Sequence, residues 1–208
     1  MRETSTDLSR LPPVRRGMRI GLFGGSFDPP HEGHRAVSLE AIKRLGLDQV
    51  WWLVSPQNPL KPHAPAHLQR RIAAARKLAN HPRIKVTGVE AALGTTYTAD
   101  TLRKLEERLP GVRLVWMMGA DNLASFHKWR DWQEIAADIP IAVFNRPGLA
   151  LRALASPAAR TLARMRLPER AAGAIGQTRP PAWVFLSSPH VPLSSTEIRS
   201  KRERRAAS

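Results

Sequence analysis

The sequence contains no cysteine, no long apolar run and only half as many acidic as basic residues. Without cysteine the chain can form neither a disulfide framework nor a thiolate zinc site, and this fits a cytoplasmic protein. No stretch of eighteen or so apolar residues could cross a bilayer, and residues 1–17 lack the apolar segment of a signal peptide. The composition therefore predicts a cytoplasmic protein without a membrane span.

The deficit of acidic residues leaves a formal net charge of +16, from 33 lysines and arginines against 17 acids. A nucleic-acid-binding protein is one interpretation of such a charge. However, the most basic segment, Arg146–Pro181, has no aromatic residue interleaved with its arginines to stack on bases. We interpret it as a solvated surface that attracts polyanionic substrates, with non-specific RNA adhesion as a side effect and no specific nucleic-acid partner.

Apolar runs alternate with helical patterns along the chain. Strands are predicted at about residues 19–23, 50–54, 84–89, 112–118, 139–144 and 183–186, and helices at about 34–45, 67–80, 98–109 and around Trp132. Thr98 is the expected N-cap of its helix, and Pro157 and Pro168 are expected to interrupt short helices between residues 149 and 179. This alternation predicts a single-domain α/β fold with a Rossmann-like, doubly wound parallel sheet. The expected segments are a flexible leader (1–17), the domain (18–200) and a basic tail (201–208).

The stretch Gly24–His34, G-G-S-F-D-P-P-H-E-G-H, lies between the first predicted strand and its helix. Gly24 and Gly25 allow a sharp bend and close approach of another molecule to the backbone. A helix start offers unpaired N–H groups and a positive dipole end, which favour an anion, and His31 and His34 could both donate to it. Taken singly, each histidine is more often a packed or surface residue. The dinucleotide fingerprint and the P-loop are both absent.

This stretch resembles the phosphate-binding signature of the nucleotidyltransferase superfamily. The resemblance implies an enzyme that joins a nucleoside triphosphate to a phosphorylated acceptor and releases pyrophosphate. It also implies ATP binding by Gly24, Gly25, Ser26 and Phe27, with His31 and His34 binding ATP and acting in catalysis. A second stretch, S-S-T-E-I-R at 194–199, resembles the superfamily's other phosphate site, although alone it is only a capping pattern. The implied ligands there are Ser195, Thr196 and the catalytic Arg199.

Three further segments, T-T-Y-T-A-D-T-L (95–102), M-G-A-D-N-L-A-S-F-H-K-W (118–129) and N-R-P-G (145–148), are similar to the bacterial nicotinate-nucleotide adenylyltransferases. The resemblance implies that ATP and nicotinate mononucleotide react to give deamido-NAD. Gly119 and Asp121 are then expected to contact ATP. The acceptor would be bound by Lys61, Thr98, Trp129, Arg130 and Arg146.

Trp129, Asp121 and Lys61 also have plainer interpretations. Trp129 could offer a flat face to a pyridine ring or be a core tryptophan. Thr98 and backbone N–H groups near Arg130 could donate to the nicotinate carboxylate. Asp121 could accept from the ATP ribose or merely cap the next helix. Lys61 could reach the acceptor phosphate or be simply solvated.

The implied chemistry needs no general base, because the acceptor phosphate is already an anion at neutral pH. Catalysis should consist of aligning two polyanions and offsetting charge on pyrophosphate, with Mg²⁺ carried by ATP and no dedicated protein metal site. Other possibilities remain. The acceptor could be nicotinamide mononucleotide, phosphopantetheine or flavin mononucleotide, or the chain could be a basic nucleic-acid-binding module. A homo-oligomer is possible.

Overall fold

A computed structural model describes residues 11–56 and 66–187 of the chain. The described residues form one parallel sheet of seven strands, in the order β3-β2-β1-β4-β5-β7-β6. The strands are β1 (Arg19–Gly25), β2 (Gln49–Val54), β3 (Ile84–Thr87), β4 (Arg113–Gly119), β5 (Ile141–Phe144), β6 (Arg166–Leu167) and β7 (Trp183–Leu186).

Helices cover both faces of this sheet. One face is packed by α1 (Glu32–Arg44), α2 (Leu68–Ala79) and the 3-10 segment Glu169–Gln177. The other face is packed by α3 (Val89–Leu93), α4 (Thr98–Arg108), α5 (Ala120–Ser125), α6 (Trp132–Asp138), α7 (Ala150–Leu154) and α8 (Pro157–Thr161). The central strands read as continuous apolar runs because both of their faces are buried. The predicted doubly wound parallel fold is therefore confirmed.

The strand order places a topological switch point between β1 and β4. From β1 the chain winds outward to β2 and β3, and then returns to place β4 on the other side of β1. Phe23 pairs with Trp52 on one side and with Met117 on the other. In sheets of this kind ligands bind beyond the carboxyl ends of the strands at the switch point. The turns that follow β1 and β4 thus form the natural crevice.

Some of the predicted element boundaries were wrong. Strand β3 ends at Thr87, and α3, which was not predicted, begins at Val89, because the Thr87 hydroxyl accepts from the Val89 N–H (3.1 Å) and turns the chain. Pro157 separates two short helices as predicted, because α7 ends at Leu154 and Pro157 is the first residue of α8, where its missing N–H costs nothing and Ser156 caps the end. Thr98 is the first helical residue of α4 rather than its N-cap. Tyr97 takes that position without a side-chain hydrogen bond.

Residues 11–17 contact the body of the protein. Leu11 and Val14 pack against the buried cluster on one face of the sheet, and the Gly17 N–H donates to the Gly111 carbonyl (2.7 Å). The described part of the predicted leader is thus in contact with the domain. The boundary at residue 17 and the tail at 201–208 stay predictions, and the tail lies outside the described residues.

Candidate active site

The turn after β1 is built around Gly24. A Cβ at Gly24 would lie 2.5 Å from a ring carbon of Trp116, which is only 2% exposed on neighbouring β4. The indole ring therefore fills the space that a side chain at Gly24 would need. At the switch point the backbone of β1 therefore packs directly against an aromatic ring of β4.

Phe27 follows in the left-handed backbone region (φ 48°), which a residue with a side chain rarely adopts. Its ring is 1% exposed, stacks on Trp52 (centroids 5.0 Å apart, 15° between planes) and lies 4.7 Å from the ring of His34. The Phe27 side chain is thus part of the core, where its ring packs against the ring of His34. The ATP contact predicted for Phe27 can then be made only by its backbone.

His31 and His34 stand together at the start of α1, with ring centroids 3.8 Å apart and exposed fractions of 6% and 9%. His31 is the N-cap, and its N–H donates to Nδ1 of His34 (3.2 Å). This bond lets α1 begin at Glu32, two residues before the predicted start. Because Nδ1 accepts, the neutral His34 ring carries its proton on Nε2, and the ring is a donor there. The structure therefore brings the two predicted histidines together.

A hydrogen-bonded chain anchors this helix start to the sheet. The Trp52 indole N–H donates to the Ser38 hydroxyl (2.7 Å), which donates to the His34 carbonyl (2.8 Å). Both Ser38 and Trp52 are fully buried. The position of His34 is consequently fixed by contacts with β2 as well as with its own helix.

The turn after β4 places two predicted residues in contact. Arg146, just beyond β5, lies with its Nε 3.4 Å from Oδ1 of Asp121. A Cβ at Gly119 would lie 2.3 Å from that same oxygen, so the close approach of Asp121 to the backbone requires glycine. Asp121 was predicted to bind ATP and Arg146 the acceptor. Their contact puts the two predicted subsites next to each other.

Three of the predicted acceptor residues, Thr98, Trp129 and Arg130, lie at the starts of α4 and α6. Trp129 is half-buried and makes edge contacts with Phe126 (5.4 Å between ring centres) and Trp116 (6.3 Å). It is therefore not a fully buried core tryptophan, and part of its side chain stays exposed. Thr98, half-buried at the start of α4, is not needed as a cap.

The side chain of Arg130 already has protein partners. Its guanidinium lies 3.7 Å from the ring centre of Tyr97, pairs with Asp100 and reaches Asp131 (3.2 Å). These two carboxylates raise the pKa of Arg130 against the opposing effect of desolvation. If Arg130 contacts a nicotinate carboxylate, the backbone N–H near it is the available donor.

Three buried side-chain polar atoms in the described part of the chain have no protein hydrogen-bond partner. Among the residues described, the indole Nε1 of Trp116, Nδ1 of His127 and Oδ1 of Asn145 have no hydrogen-bond partner. Such atoms are costly to bury unpaired, so a ligand or water that satisfies them is expected to bind favourably.

Sequence reasoning missed two buried charged residues near the crevice. Arg71 of α2 is 3% exposed, and Glu90 of α3 is 9% exposed. Burial raises the pKa of Glu90 to about 7, against the lowering effect of a hydrogen bond with Ser55. Arg71 stands between Leu68 and Ala75 at helical spacing, inside the apolar stripe, and that position was the signal that could have found it.

Four predicted site residues, Lys61, Ser195, Thr196 and Arg199, lie outside the described residues. The ATP contacts expected of Ser195, Thr196 and Arg199 and the acceptor contact expected of Lys61 therefore stay predictions.

Comparison with known proteins identifies the family. Residues 22–201 match the model of the cytidylyltransferase-like family. The chain is 58% identical over 183 residues to a probable nicotinate-nucleotide adenylyltransferase of Cereibacter sphaeroides, covering 88% of this chain and 97% of the relative. The chain therefore belongs to the cytidylyltransferase-like family and, within it, to the nicotinate-nucleotide adenylyltransferases. A similarly named protein of Roseobacter denitrificans is 54% identical over 191 residues, covering 92% and 96% of the two chains.

Solved structures agree with the nicotinate-nucleotide adenylyltransferase fold. The nicotinic acid mononucleotide adenylyltransferase of Plasmodium falciparum, complexed with NaAD, superposes with a TM-score of 0.68 at 16% identity. The alignment covers 88% of this chain and 83% of the other. At that identity the likeness speaks for the fold alone.

None of the helices in the described ranges is long and apolar enough to cross a bilayer. Within the same ranges, no group of three or more histidine and carboxylate side chains is arranged to hold a metal ion. Nucleotidyltransferases of this kind generally use a divalent metal ion.

Proposed function

We propose that the protein transfers the adenylyl group of ATP to nicotinate mononucleotide, giving deamido-NAD and pyrophosphate. The observation that carries the proposal is the 58% identity, along most of both chains, to relatives named for this activity. The grouping of the predicted residues around the switch point between β1 and β4 agrees with it.

In the proposed reaction an oxygen of the acceptor phosphate attacks the α-phosphorus of ATP. The new bond joins that oxygen to the α-phosphorus, and the bond from the α-phosphorus to the bridging oxygen breaks, so the electron pair leaves on pyrophosphate. No proton has to be removed from the nucleophile. The protein's contribution is therefore to orient the two anions and to stabilise the charge that develops on the leaving group.

The phosphate end of ATP is assigned to the turn after β1 and the start of α1. His34 offers Nε2–H from a ring locked by its own helix start, and His31 stands 3.8 Å away between ring centres. The backbone of Gly24–Phe27 can approach the same phosphates, and the positive end of the α1 dipole adds to the field. Ser195, Thr196 and Arg199 are proposed to hold the triphosphate from the other side.

The nucleoside ends are assigned to the turn after β4. Asp121 can accept hydrogen bonds from the ATP ribose, while Arg146, in contact with it, can reach the acceptor. Trp129 provides the aromatic surface for the pyridine ring, and Thr98 and the backbone N–H near Arg130 provide donors for its carboxylate. Lys61 is proposed to contact the acceptor phosphate.

The divalent ion is proposed to be Mg²⁺ carried by ATP. Mg²⁺ prefers oxygen ligands and commonly binds substrate phosphates, whereas the described turn offers imidazole and N–H donors that suit the phosphates themselves. When bound, the ion would neutralise phosphate charge in the transition state. The proposed location of the reaction is the cytoplasm, which the lack of cysteine favours.

A substrate panel tests the proposal. Purified protein with ATP and Mg²⁺ is incubated separately with nicotinate mononucleotide, nicotinamide mononucleotide, phosphopantetheine and flavin mononucleotide, and pyrophosphate release is measured. Release with nicotinate mononucleotide in clear preference is expected. Turnover with another acceptor alone would overturn the substrate assignment but keep the chemistry. Salt-sensitive RNA binding without any turnover would favour the nucleic-acid-binding alternative.

A further inference from the structure

Arg71 makes an unusual set of contacts for a buried cation. Its guanidinium donates to four backbone carbonyls: Nε to Ala66 (2.6 Å), Nη1 to Ser26 (2.6 Å) and Ser55 (2.7 Å), and Nη2 to Pro56 (3.1 Å). Desolvation lowers the pKa of Arg71 and the carboxylate of Asp28 raises it, but a guanidinium remains charged at neutral pH. A fixed positive charge is thus buried next to the turn after β1.

The four carbonyls come from three separate stretches of chain. Ser26 belongs to the turn after β1, Ser55 and Pro56 follow β2, and Ala66 precedes α2. The first two turns also share a backbone bond from the Ser55 N–H to the Gly25 carbonyl (3.0 Å). A planar, rigid fork with five donors can hold several carbonyls at once in one geometry, which a lysine cannot do.

The bond to Ser26 controls the peptide that leads into Phe27. In a planar trans peptide the carbonyl and the following N–H point in opposite directions. Because the Ser26 carbonyl is turned toward Arg71, the Phe27 N–H is directed away from it. The left-handed backbone of Phe27 is unfavourable for a residue with a side chain, so this orientation needs such external support.

We propose that Arg71 is a positioning residue for the triphosphate site, which holds the Ser26–Phe27 peptide so that its N–H and the adjoining His34 ring are presented to ATP. The proposal rests on the proposed function for the identity of the ligand. Arg71 acts through the backbone and does not touch the substrate. Its loss is expected to affect ATP far more than the acceptor, because Trp129 and helix α4, which carry the described acceptor residues nearest the pyridine ring, pack on the other face of the sheet.

The experiment compares Arg71→Gln and Arg71→Lys with Arg70→Gln, a matched control at the exposed neighbouring position of the same helix. For each variant, steady-state constants are measured for both substrates, and the affinity for a non-hydrolysable ATP analogue is measured by calorimetry. Arg71→Gln is expected to raise the Kd for the analogue and the KM for ATP by about ten-fold or more, with the KM for the acceptor within about two-fold. Arg71→Lys should recover part of the loss, and Arg70→Gln should match the parent.

An unchanged Kd for the analogue in Arg71→Gln, with only a lower Tm, would show that Arg71 is merely structural and would overturn the proposal. An equal loss for both substrates would do the same. Should Arg71→Gln fail to fold, Arg71→Lys decides by the same comparison. If the parent protein binds the analogue but does not turn over nicotinate mononucleotide, the proposed function fails while the test of Arg71 stands.

Discussion

Glycine at two positions of the site is required for different reasons. Gly24 and Gly119 both have ordinary backbone angles, so alanine would not strain the chain. At Gly24 a Cβ would meet the buried ring of Trp116, whereas at Gly119 it would meet the tips of Asp121 and Arg146, which are partly exposed. The first contact concerns the fold and the second concerns the proposed substrate site.

Alanine substitutions should separate these two roles. Gly24→Ala is expected to lower the free energy of unfolding by about 1–3 kcal/mol, because a locked indole ring must shift. Gly119→Ala is expected to change the free energy of unfolding by less than about 1 kcal/mol. It should nevertheless disrupt the contact of Asp121 with Arg146 and so raise the KM values for ATP and for nicotinate mononucleotide. Urea unfolding and steady-state kinetics measure both effects. If Gly119→Ala proves the less stable variant and Gly24→Ala the one with raised KM values, the two roles have been assigned to the wrong glycines.

Trp129 can be tested against its neighbour Trp132, which also makes an edge contact with Phe126. Trp129→Ala is expected to raise the KM for nicotinate mononucleotide about ten-fold, equivalent to about 1.4 kcal/mol of stacking, with little change for ATP. Trp132→Ala removes similar packing and should lower stability without that selectivity. Equal acceptor KM values in the parent and in Trp129→Ala would refute stacking.

At the level of elements, the strands that are buried on both faces could be predicted well because they read as uninterrupted apolar runs. β6 has only two residues and no apolar run, and α3 follows β3 after one glycine, so neither had a local signal. The start of α1 depends on a side-chain bond between His31 and His34, which spacing alone does not reveal.

The same limit applies to the site. That the histidine pair and the residues at the ends of β4 and β5 lie at the same ends of the strands could be predicted, because strand ends converge in a parallel sheet, whereas their roles stay predictions. The contact of Asp121 with Arg146 and the engagement of Arg130 by Asp100 depend on packing between distant elements. Lys61, Ser195, Thr196 and Arg199 stay predictions.

Helix α3 carries a testable pH dependence in Glu90. Its pKa is raised from 4.5 to about 7 in the folded protein, mainly by burial. The folded state therefore holds this proton more tightly than the unfolded state does. Below pH 4.5 both states are protonated and nothing is gained or lost. As the pH rises from 4.5 to about 7, stability is lost, by about 3 kcal/mol in total.

Glu90→Gln removes this titration. Unfolding by urea at pH 5 and pH 8 should show that the parent protein loses stability relative to Glu90→Gln over that interval. Glu107→Gln, at an exposed position of α4, should keep the parental pH dependence. Parallel pH profiles for the parent and Glu90→Gln would show that the buried carboxyl has an ordinary pKa.

At the scale of the whole molecule, we expect the net charge of +16 and the strand order to serve the same proposed reaction. The order places β1 beside β4 although their sequences are far apart, so the turn proposed to bind ATP lies next to the residues proposed to bind the acceptor. A positive field of this kind is expected to attract the two polyanionic substrates and to weaken as salt screens it.

Electrostatic attraction of the substrates predicts that kcat/KM depends on the salt concentration. Raising NaCl from about 25 to about 250 mM should lower kcat/KM for ATP roughly three-fold while kcat changes less. Sucrose at matched viscosity serves as the control for slower diffusion. A kcat/KM that does not respond to salt would show that the charge serves another purpose.

The most direct test follows the α-phosphate of ATP. The protein is incubated with Mg²⁺, nicotinate mononucleotide and ATP labelled at the α-phosphorus. The same reaction is run with His34→Ala and with the control His81→Ala. His81 precedes β3 and so lies at the amino ends of the strands, whereas His34 follows the carboxyl end of β1. We predict that the label appears in deamido-NAD and not in pyrophosphate, and that His34→Ala slows this transfer about a hundred-fold while His81→Ala does not. Label that stays in ATP or appears in free AMP, or equal rates for the parent and His34→Ala, would contradict adenylyl transfer at this site.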